Sequence, residues 1–207
     1  MIKVILFDCD GPIIKREKNF SQRLKEEKGL DVHLEKETSF FKGEFLECEI
    51  GKADLKEVLP KWLPVWGWLG TVDQLLDYWF EGETQVNPAM KNYIINLRTK
   101  GVTCWLATNN EKYRTEYLWN IVGLKSFLDG IFSSCYLGYM KPDAQYWEQI
   151  YKTLDNIPKQ EVLVLDDKQS AIDSAKAFGF NAEFYTNFEN FRNTAQEKYQ
   201  IYGKGKI

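Results

Sequence analysis

The sequence predicts an α/β protein: a parallel β-sheet with helices on both faces. Three observations carry that prediction. Short apolar runs recur at 3–9, 102–107, 131–135, 161–165 and 181–185, the pattern of strands buried on both faces. Segments with helix-type starts and stops separate the last four, and strands alternating with helices build parallel sheets through right-handed crossovers. The stretch between the first run and Gly82 differs in kind, being charged and then strongly aromatic.

The elements follow in order. Val4-Ile5-Leu6-Phe7 is unbroken apolar sequence and reads as a central strand. From about residue 12 to 82, Leu24, Leu30, Phe40, Phe41, Phe45, Leu46, Leu55, Val58 and Leu59 recur at helical spacings. Pro60, Pro64, Gly67 and Gly70 interrupt them, so several short helices packed together are expected. Trp62, Trp66, Trp68 and Trp79 either fill the core of that small bundle or, between 62 and 68, wall a ligand site; filling is the simpler reading. The charged run 15–28 is expected to be a solvated helix face. Pro88 opens a helix that Gly101 closes. After the strand at 102–107, Asn109 or Asn110 caps a helix ending at Gly123. The run 131–135 is a short strand, Pro142 and Asp143 start a helix through Leu154, and 161–165 is a strand. A helix over 169–178 stops at Gly179, before an edge strand at 181–185. The tail 203–207 is expected to fray.

Composition narrows the function. The chain has 207 residues, enough for one ample core or a core plus a small insert. Net charge is −3 and no basic block or arm exists, which argues against a nucleic-acid partner. No apolar stretch approaches the roughly 20 residues that span a bilayer. Lys3 interrupts the first apolar run and acids follow at once, so neither a secretory leader nor a membrane partner is expected. Cys9, Cys48, Cys104 and Cys135 form no CxxC pair. Cys9, Cys104 and Cys135, in strand-like segments, read as small hydrophobes, which fits a reducing, cytoplasmic location. His33, the one histidine, is expected to be structural or at the surface.

Polar residues at four strand ends carry the chemistry. Asp8-Cys9-Asp10-Gly11 follows the first strand, Thr108-Asn109 the second, and Asp166-Asp167 the fourth. Lys141 precedes the helix begun by Pro142. In open α/β sheets, ligands bind beyond the carboxyl ends of the strands. Asp8 and Asp10 point the same way if the strand stays extended through Cys9. Like charges that close call for a cation or a shared proton. Carboxylates are hard oxygen ligands suited to Mg²⁺; a hydroxyl and an ammonium suit a phosphate. An aspartate can act as a covalent nucleophile. Taken singly, Asp166-Asp167 and Thr108-Asn109 can be helix caps, Lys141 a surface lysine, and Asp8 and Asp10 the start of a turn.

Together, in order, the four groups resemble the motifs of the haloacid dehalogenase (HAD) superfamily, specifically its capped phosphatases: DxDG at Asp8, T-N at Thr108, K-P-D within Gly138-Tyr139-Met140-Lys141-Pro142-Asp143, and D-D at Asp166. The resemblance implies a Rossmann-like catalytic core over 1–14 and 85–207, with a small helical cap inserted after the first strand over 15–84. It implies that Asp8 attacks phosphorus and that Asp10 protonates the leaving oxygen and then activates water. Thr108, Asn109 and Lys141 would hold the phosphoryl group. Asp167, with Asp8, the carbonyl of Asp10 and help from Asp166, would bind Mg²⁺. The expected partner is a small phosphorylated metabolite, with sugar phosphate the leading class, and the expected assembly a monomer or homodimer. Asp10 favours phosphoryl transfer over dehalogenation, because an alkoxide leaving group needs a proton and a halide does not. Two departures stand out: Pro12, where the family has Thr or a similar residue, and Ala171, where it often has Asn or Asp. They keep open a catalytically silent phosphate-metabolite binder, and a phosphomutase shares the same residues.

Overall fold

The computed structural model describes residues 1–32, 40–154 and 157–201; His33 and the 203–207 tail lie outside the described residues. Five parallel strands form a sheet: β1 (Val4–Phe7), β2 (Thr103–Thr108), β3 (Gly130–Ser133), β4 (Val162–Asp166) and β5 (Asn181–Phe184), in the order β3-β2-β1-β4-β5. All four β1 residues are buried, and their alternation explains the unbroken apolar run. Ile5 and Phe7 join one apolar cluster, with Met90, Ile94 and Phe191. Val4 and Leu6 join another, with Tyr146, Trp147 and Ile172.

The register positions the site. Phe7 pairs with Leu106 of β2 and with Leu165 of β4. Asp8 and Asp166 therefore emerge side by side at the carboxyl ends of adjacent strands. Chain order runs one way from β1 to β2 and the other way from β1 to β4, and a crevice at such a reversal is where open α/β sheets bind ligands.

Between β1 and β2 lie α1 (Phe20–Lys28), α2 (Glu44–Glu49), α3 (Leu55–Val58), α4 (Leu63–Trp66), α5 (Val72–Glu81) and α6 (Pro88–Arg98). The first five build a separate apolar cluster around Phe20, Leu24, Phe40, Leu59, Trp66 and Trp79. Phe20 stacks on Trp79 with ring centres 4.3 Å apart. Trp66 and Trp79 are buried in this cluster and Trp62 packs on it, with its indole N–H donated to Glu44 at 2.7 Å. The tryptophans fill the core of the insert. Two linkers join insert and sheet side by side: Lys15 N–H donates to Gln85 O at 2.9 Å and Asn87 N–H to Ile13 O at 2.8 Å.

Downstream of β2 the order is α7 (Lys112–Glu116), continued by a wider turn over Tyr117–Ile121, then α8 (Ser134–Leu137), α9 (Ala144–Lys152), α10 (Gln169–Phe178) and α11 (Phe188–Tyr199). Three differences from the sequence reading have physical reasons. The helix after β2 is capped by Glu111, whose carboxylate accepts from Tyr113 N and Arg114 N, because Asn109 and Asn110 spend their side chains elsewhere. β3 ends at Ser133, and Ser134 and Cys135 turn into one helical turn stopped by Gly138 at φ +74°. α11, for which no element was expected, presents Phe191 and Ala195 to the sheet, the i, i+4 stripe of an amphipathic helix. Among the described residues no helix is long and apolar enough to cross a membrane.

Candidate active site

Lys141 lies at the centre. Its ammonium donates to Asp8 Oδ1 at 2.8 Å, Asp166 Oδ2 at 2.6 Å and the carbonyl of Ala107 at 2.8 Å. All three of its donors are thus used. The three side chains are buried, that of Asp166 completely. Burial works against the charge on Lys141, but Asp8 and Asp166 outweigh it and hold the ammonium well above its ordinary range. Asn109 fixes this lysine by the backbone: its side chain donates to Lys141 O and accepts from Lys141 N, both at 2.9 Å. The asparagine of the T-N pair therefore anchors the loop that carries Lys141. Thr108 is buried, with its hydroxyl accepting from Asn110 Nδ2 at 2.6 Å.

Asp8, Asp166 and Asp167 each offer an oxygen within 4.8 Å of the others. Asp166 is not a helix cap: its second oxygen accepts from Lys168 N at 2.8 Å, and the residue in the cap position of α10 is Lys168. Burial, with the charges of Asp166 and Asp10 adding to it, lifts Asp8 to about 6 despite Lys141. Burial and the charge of Asp166 also raise Asp167. Gly11 makes room for Asp167. At φ +89° its Cα faces that carboxylate, and a Cβ there would lie 2.6 Å from Asp167 Oδ2. Three converging carboxylate oxygens are the kind of donor set a hard divalent cation takes, and the residues fit Mg²⁺.

Asp10 does not share these surroundings. The chain turns at Cys9, whose carbonyl accepts from Ile13 N at 3.1 Å and Ile14 N at 2.7 Å. The extended geometry that would aim Asp8 and Asp10 alike is therefore lost. Asp10 instead meets Arg114, with Nη2 on Oδ1 at 2.6 Å and Nη1 on Oδ2 at 3.0 Å. Arg16 Nη2 adds a contact at 3.0 Å. Burial alone would raise Asp10, but Arg114, then Arg16 and Lys168, overcome it and hold the carboxyl below its usual range.

Arg114, Arg16, Glu83 and Asn110 escaped the reading of motifs. Arg114 did leave a signal. It stands four residues after Asn110 on the buried face of its helix, and a buried arginine is almost always paired with acids. A second site-facing group comes from the insert. Glu49, at the end of α2, is raised by burial and feels the charges of Lys168, Arg114 and Asp10.

Pro12 and Ala171 leave this geometry intact. Pro12 occupies the turn, its carbonyl accepting from Asn87 Nδ2 at 3.4 Å. Ala171 is buried against α10's neighbours, where a polar side chain would need a partner.

Comparison with known proteins bears on the family and the fold. The haloacid dehalogenase-like hydrolase family model matches residues 2–179. A D-ribitol-5-phosphate phosphatase of Bacteroides thetaiotaomicron is 27% identical over 87% of this chain and 90% of its own. A sesquiterpene phosphatase of Aspergillus oryzae is 28% identical over 96 residues, 44% of this chain and 45% of its own length. A HAD family enzyme of B. thetaiotaomicron, solved with magnesium and inorganic phosphate, superposes with TM-score 0.76 at 15% identity, over 92% of this chain and 99% of that one; at that identity the likeness concerns the fold. With the family model spanning four of the five strands, the insert and all four motif groups, the chain belongs to the haloacid dehalogenase-like hydrolases.

Proposed function

We propose that this hydrolase is a Mg²⁺-dependent phosphatase that moves the phosphoryl group of a small phosphorylated metabolite first to Asp8 and then to water. It is a phosphoric monoester hydrolase. One observation carries the reading: buried Lys141 holding Asp8 and Asp166, with Asp167 close enough to complete a cation site.

The chemistry follows from the residues. Lys141 orients one oxygen of Asp8, leaving the carboxylate a fixed nucleophile. An Asp8 oxygen attacks phosphorus, the P–O bond to the leaving group breaks, and the leaving oxygen takes a proton from Asp10, which must enter this step protonated against the guanidinium groups that hold its carboxyl below the usual range. Water then attacks the aspartyl phosphate, Asp10 takes the water's proton, and Asp8 is restored. Lys141 and Thr108 face the charge that grows on the phosphoryl oxygens. Asp8, Asp167 and the backbone of Asp10, with Asp166 behind them, would hold Mg²⁺, which supplies charge screening between nucleophile and phosphate.

Residues 15–84 act as a cap over a core of 1–14 and 85–207. Support comes from its docking. Gly51 lies against the Cys135 carbonyl, so close that a Cβ would come within 2.2 Å. Asp54 accepts from the Tyr113 hydroxyl at 2.8 Å. Such a lid excludes water during transfer. The ribitol-phosphate relative, aligned over most of both chains, supports a polyol or sugar phosphate as substrate. Asp10, as a proton donor for an alkoxide, speaks against dehalogenation.

The test is hydrolysis of p-nitrophenyl phosphate and D-ribitol 5-phosphate with Mg²⁺, with EDTA, and by Asp8→Asn. Turnover that needs Mg²⁺ and vanishes in the variant is expected. Turnover that survives both treatments refutes the mechanism.

A further inference from the structure

We propose that Arg114 is a positioning residue for Asp10, and that Glu83 and Arg16 tie this positioning to the two linkers of the helical insert. The proposal rests on the phosphatase reading and adds to it residues that none of the four motif groups contains.

The four side chains close a ring. Arg114 holds Asp10 by two parallel contacts, at 2.6 and 3.0 Å. Arg114 Nη2 also lies 3.1 Å from Glu83 Oε2. Glu83 Oε1 accepts from Arg16 Nη1 at 3.4 Å, and Arg16 returns to Asp10 at 3.0 Å. Two acids and two guanidinium groups balance in charge. Arg114 and Glu83 are almost wholly buried, where an unpaired ion is costly, so each member constrains the next. Arg114 is itself anchored: Glu111 accepts its backbone N–H at 2.5 Å, and Asn110 Oδ1 accepts from Nη1.

The ring's reach is the informative part. Arg114 belongs to α7, on the sheet. Arg16 follows the first linker and Glu83 the end of α5, at the second. The linkers pair at Ile14 and Val86. A shift of either linker moves Arg16 or Glu83 and so strains the contacts that aim Asp10. The planar fork of arginine makes the paired contact, and a lysine ammonium cannot reproduce it. Neither Arg114 nor Glu83 contacts Asp8, Asp166 or Asp167, so their loss strikes proton transfer and leaves the nucleophile in place.

The test compares wild type, Arg114→Lys and Glu83→Gln at saturating Mg²⁺ on two probes. D-ribitol 5-phosphate has an alkoxide leaving group that needs a proton; p-nitrophenyl phosphate has one that leaves without it. For Arg114→Lys, kcat on the ribitol ester should fall by about 100-fold, the scale of a general acid–base contribution, with KM within about threefold. The rapid first burst of nitrophenolate should persist while steady turnover slows, because Asp10 must still activate water. Glu83→Gln keeps the arginine and opens the ring; the same pattern at about one-tenth the size is expected. A burst lost together with turnover, equal losses on the initial phosphorylation by both probes, or a KM rise with unchanged kcat overturns the proposal. Wild type with no turnover of either probe overturns the phosphatase reading instead and removes this one with it.

Discussion

Replacing Lys141 by Met removes the cation from between two buried carboxylates. Methionine keeps the length and apolar stem but supplies no charge and no donor. Asp8 and Asp166 are then left facing each other at side-chain exposures of 7% and 0%. Removing one partner of a buried ion pair costs about 3–5 kcal/mol, because the other charge stays buried and uncompensated. In a domain of this size each kcal/mol shifts the melting temperature by about 2–4 °C. The metal-free variant should therefore melt roughly 6–20 °C below wild type.

Mg²⁺, bound as proposed, should act on the same charges. A ligand bound only by the folded state stabilises it by about 2.7 kcal/mol at a hundredfold excess over Kd. In the variant the ion also meets three acids with no ammonium among them, so Mg²⁺ should raise its melting temperature more than it raises that of wild type. Asp166→Asn added to Lys141→Met should recover part of the loss, since one of the stranded charges is gone. Thermal denaturation followed by circular dichroism, in EDTA and in 10 mM Mg²⁺, measures all of this. A metal-free drop under about 2 °C, or an equal response of both proteins to Mg²⁺, refutes the electrostatic account of the site. Turnover should fall by about 100-fold or more, the scale of losing one preorganised charge contact in a transition state.

Three further outcomes follow from the same geometry. Gly11→Ala puts a methyl on the Asp167 carboxylate and forces a left-handed backbone at φ +89°; Mg²⁺ affinity by calorimetry should drop at least about tenfold, one tenfold step being about 1.4 kcal/mol, and an unchanged Kd would show that Asp167 is free to move. Gly51→Ala drives a Cβ to within 2.2 Å of the Cys135 carbonyl; the insert must lift there, so KM for ribitol phosphate should rise several-fold with the p-nitrophenyl burst kept, and wild-type kinetics would mean that the insert does not dock on this contact during turnover. Asp8 is raised to about 6 from an ordinary value near 3.8, so between those values the metal-free fold binds more protons than the unfolded chain, and this group's contribution to stability, complete below about 3.8, is lost as pH rises through about 6. Mg²⁺ needs the ionised form, so its binding at pH 5.5 should release a proton and tighten towards pH 7; calorimetry in two buffers of different ionisation enthalpy reads that release, and identical heats would contradict it.

The sheet was legible in the sequence because its strands are short apolar runs bounded by helix punctuation, and Ile5, Phe7, Val4 and Leu6 must all be buried for the run to make sense. Asp8, Asp166 and Asp167 were legible because an apolar strand has no use for an acid at its end, and Lys141 through the K-P-D motif that contains it. The failures are equally specific. Asn109 and Asn110 have good capping chemistry, but tertiary partners, the Lys141 backbone and Thr108, claimed their side chains, and Glu111 capped α7 instead. α11 carries the correct stripe of Phe188, Phe191 and Ala195 among many polar residues, a weak signal for a helix docked at the sheet margin. Arg114, Arg16 and Glu83 are far apart along the chain, and nothing local says which acid a given arginine will meet. Motif reading finds the groups that a strand end exposes; it cannot find the ion pairs that the fold assembles behind them.

That division also explains why the two aspartates of one short motif behave oppositely. Asp10 sits in a ring where two guanidinium groups offset two carboxylates, and its carboxyl is held below the ordinary range. Asp8 shares a single ammonium with Asp166 while Asp167 stands close by, and both Asp8 and Asp167 are pushed up. Three carboxylates against one lysine leave two negative charges, the charge that one divalent ion neutralises. On the proposed mechanism, the deficit lies at the nucleophile and not at the proton carrier. A cation drawn to the larger unbalanced charge would therefore settle beside Asp8, and the ring would keep the Asp10 side chain from competing for it. Opening the ring with Arg114→Met should weaken that partition: with Asp10 left to Arg16 alone, a second and weaker Mg²⁺ equivalent should appear in calorimetry, and a single equivalent of unchanged affinity would show that charge balance does not direct the ion.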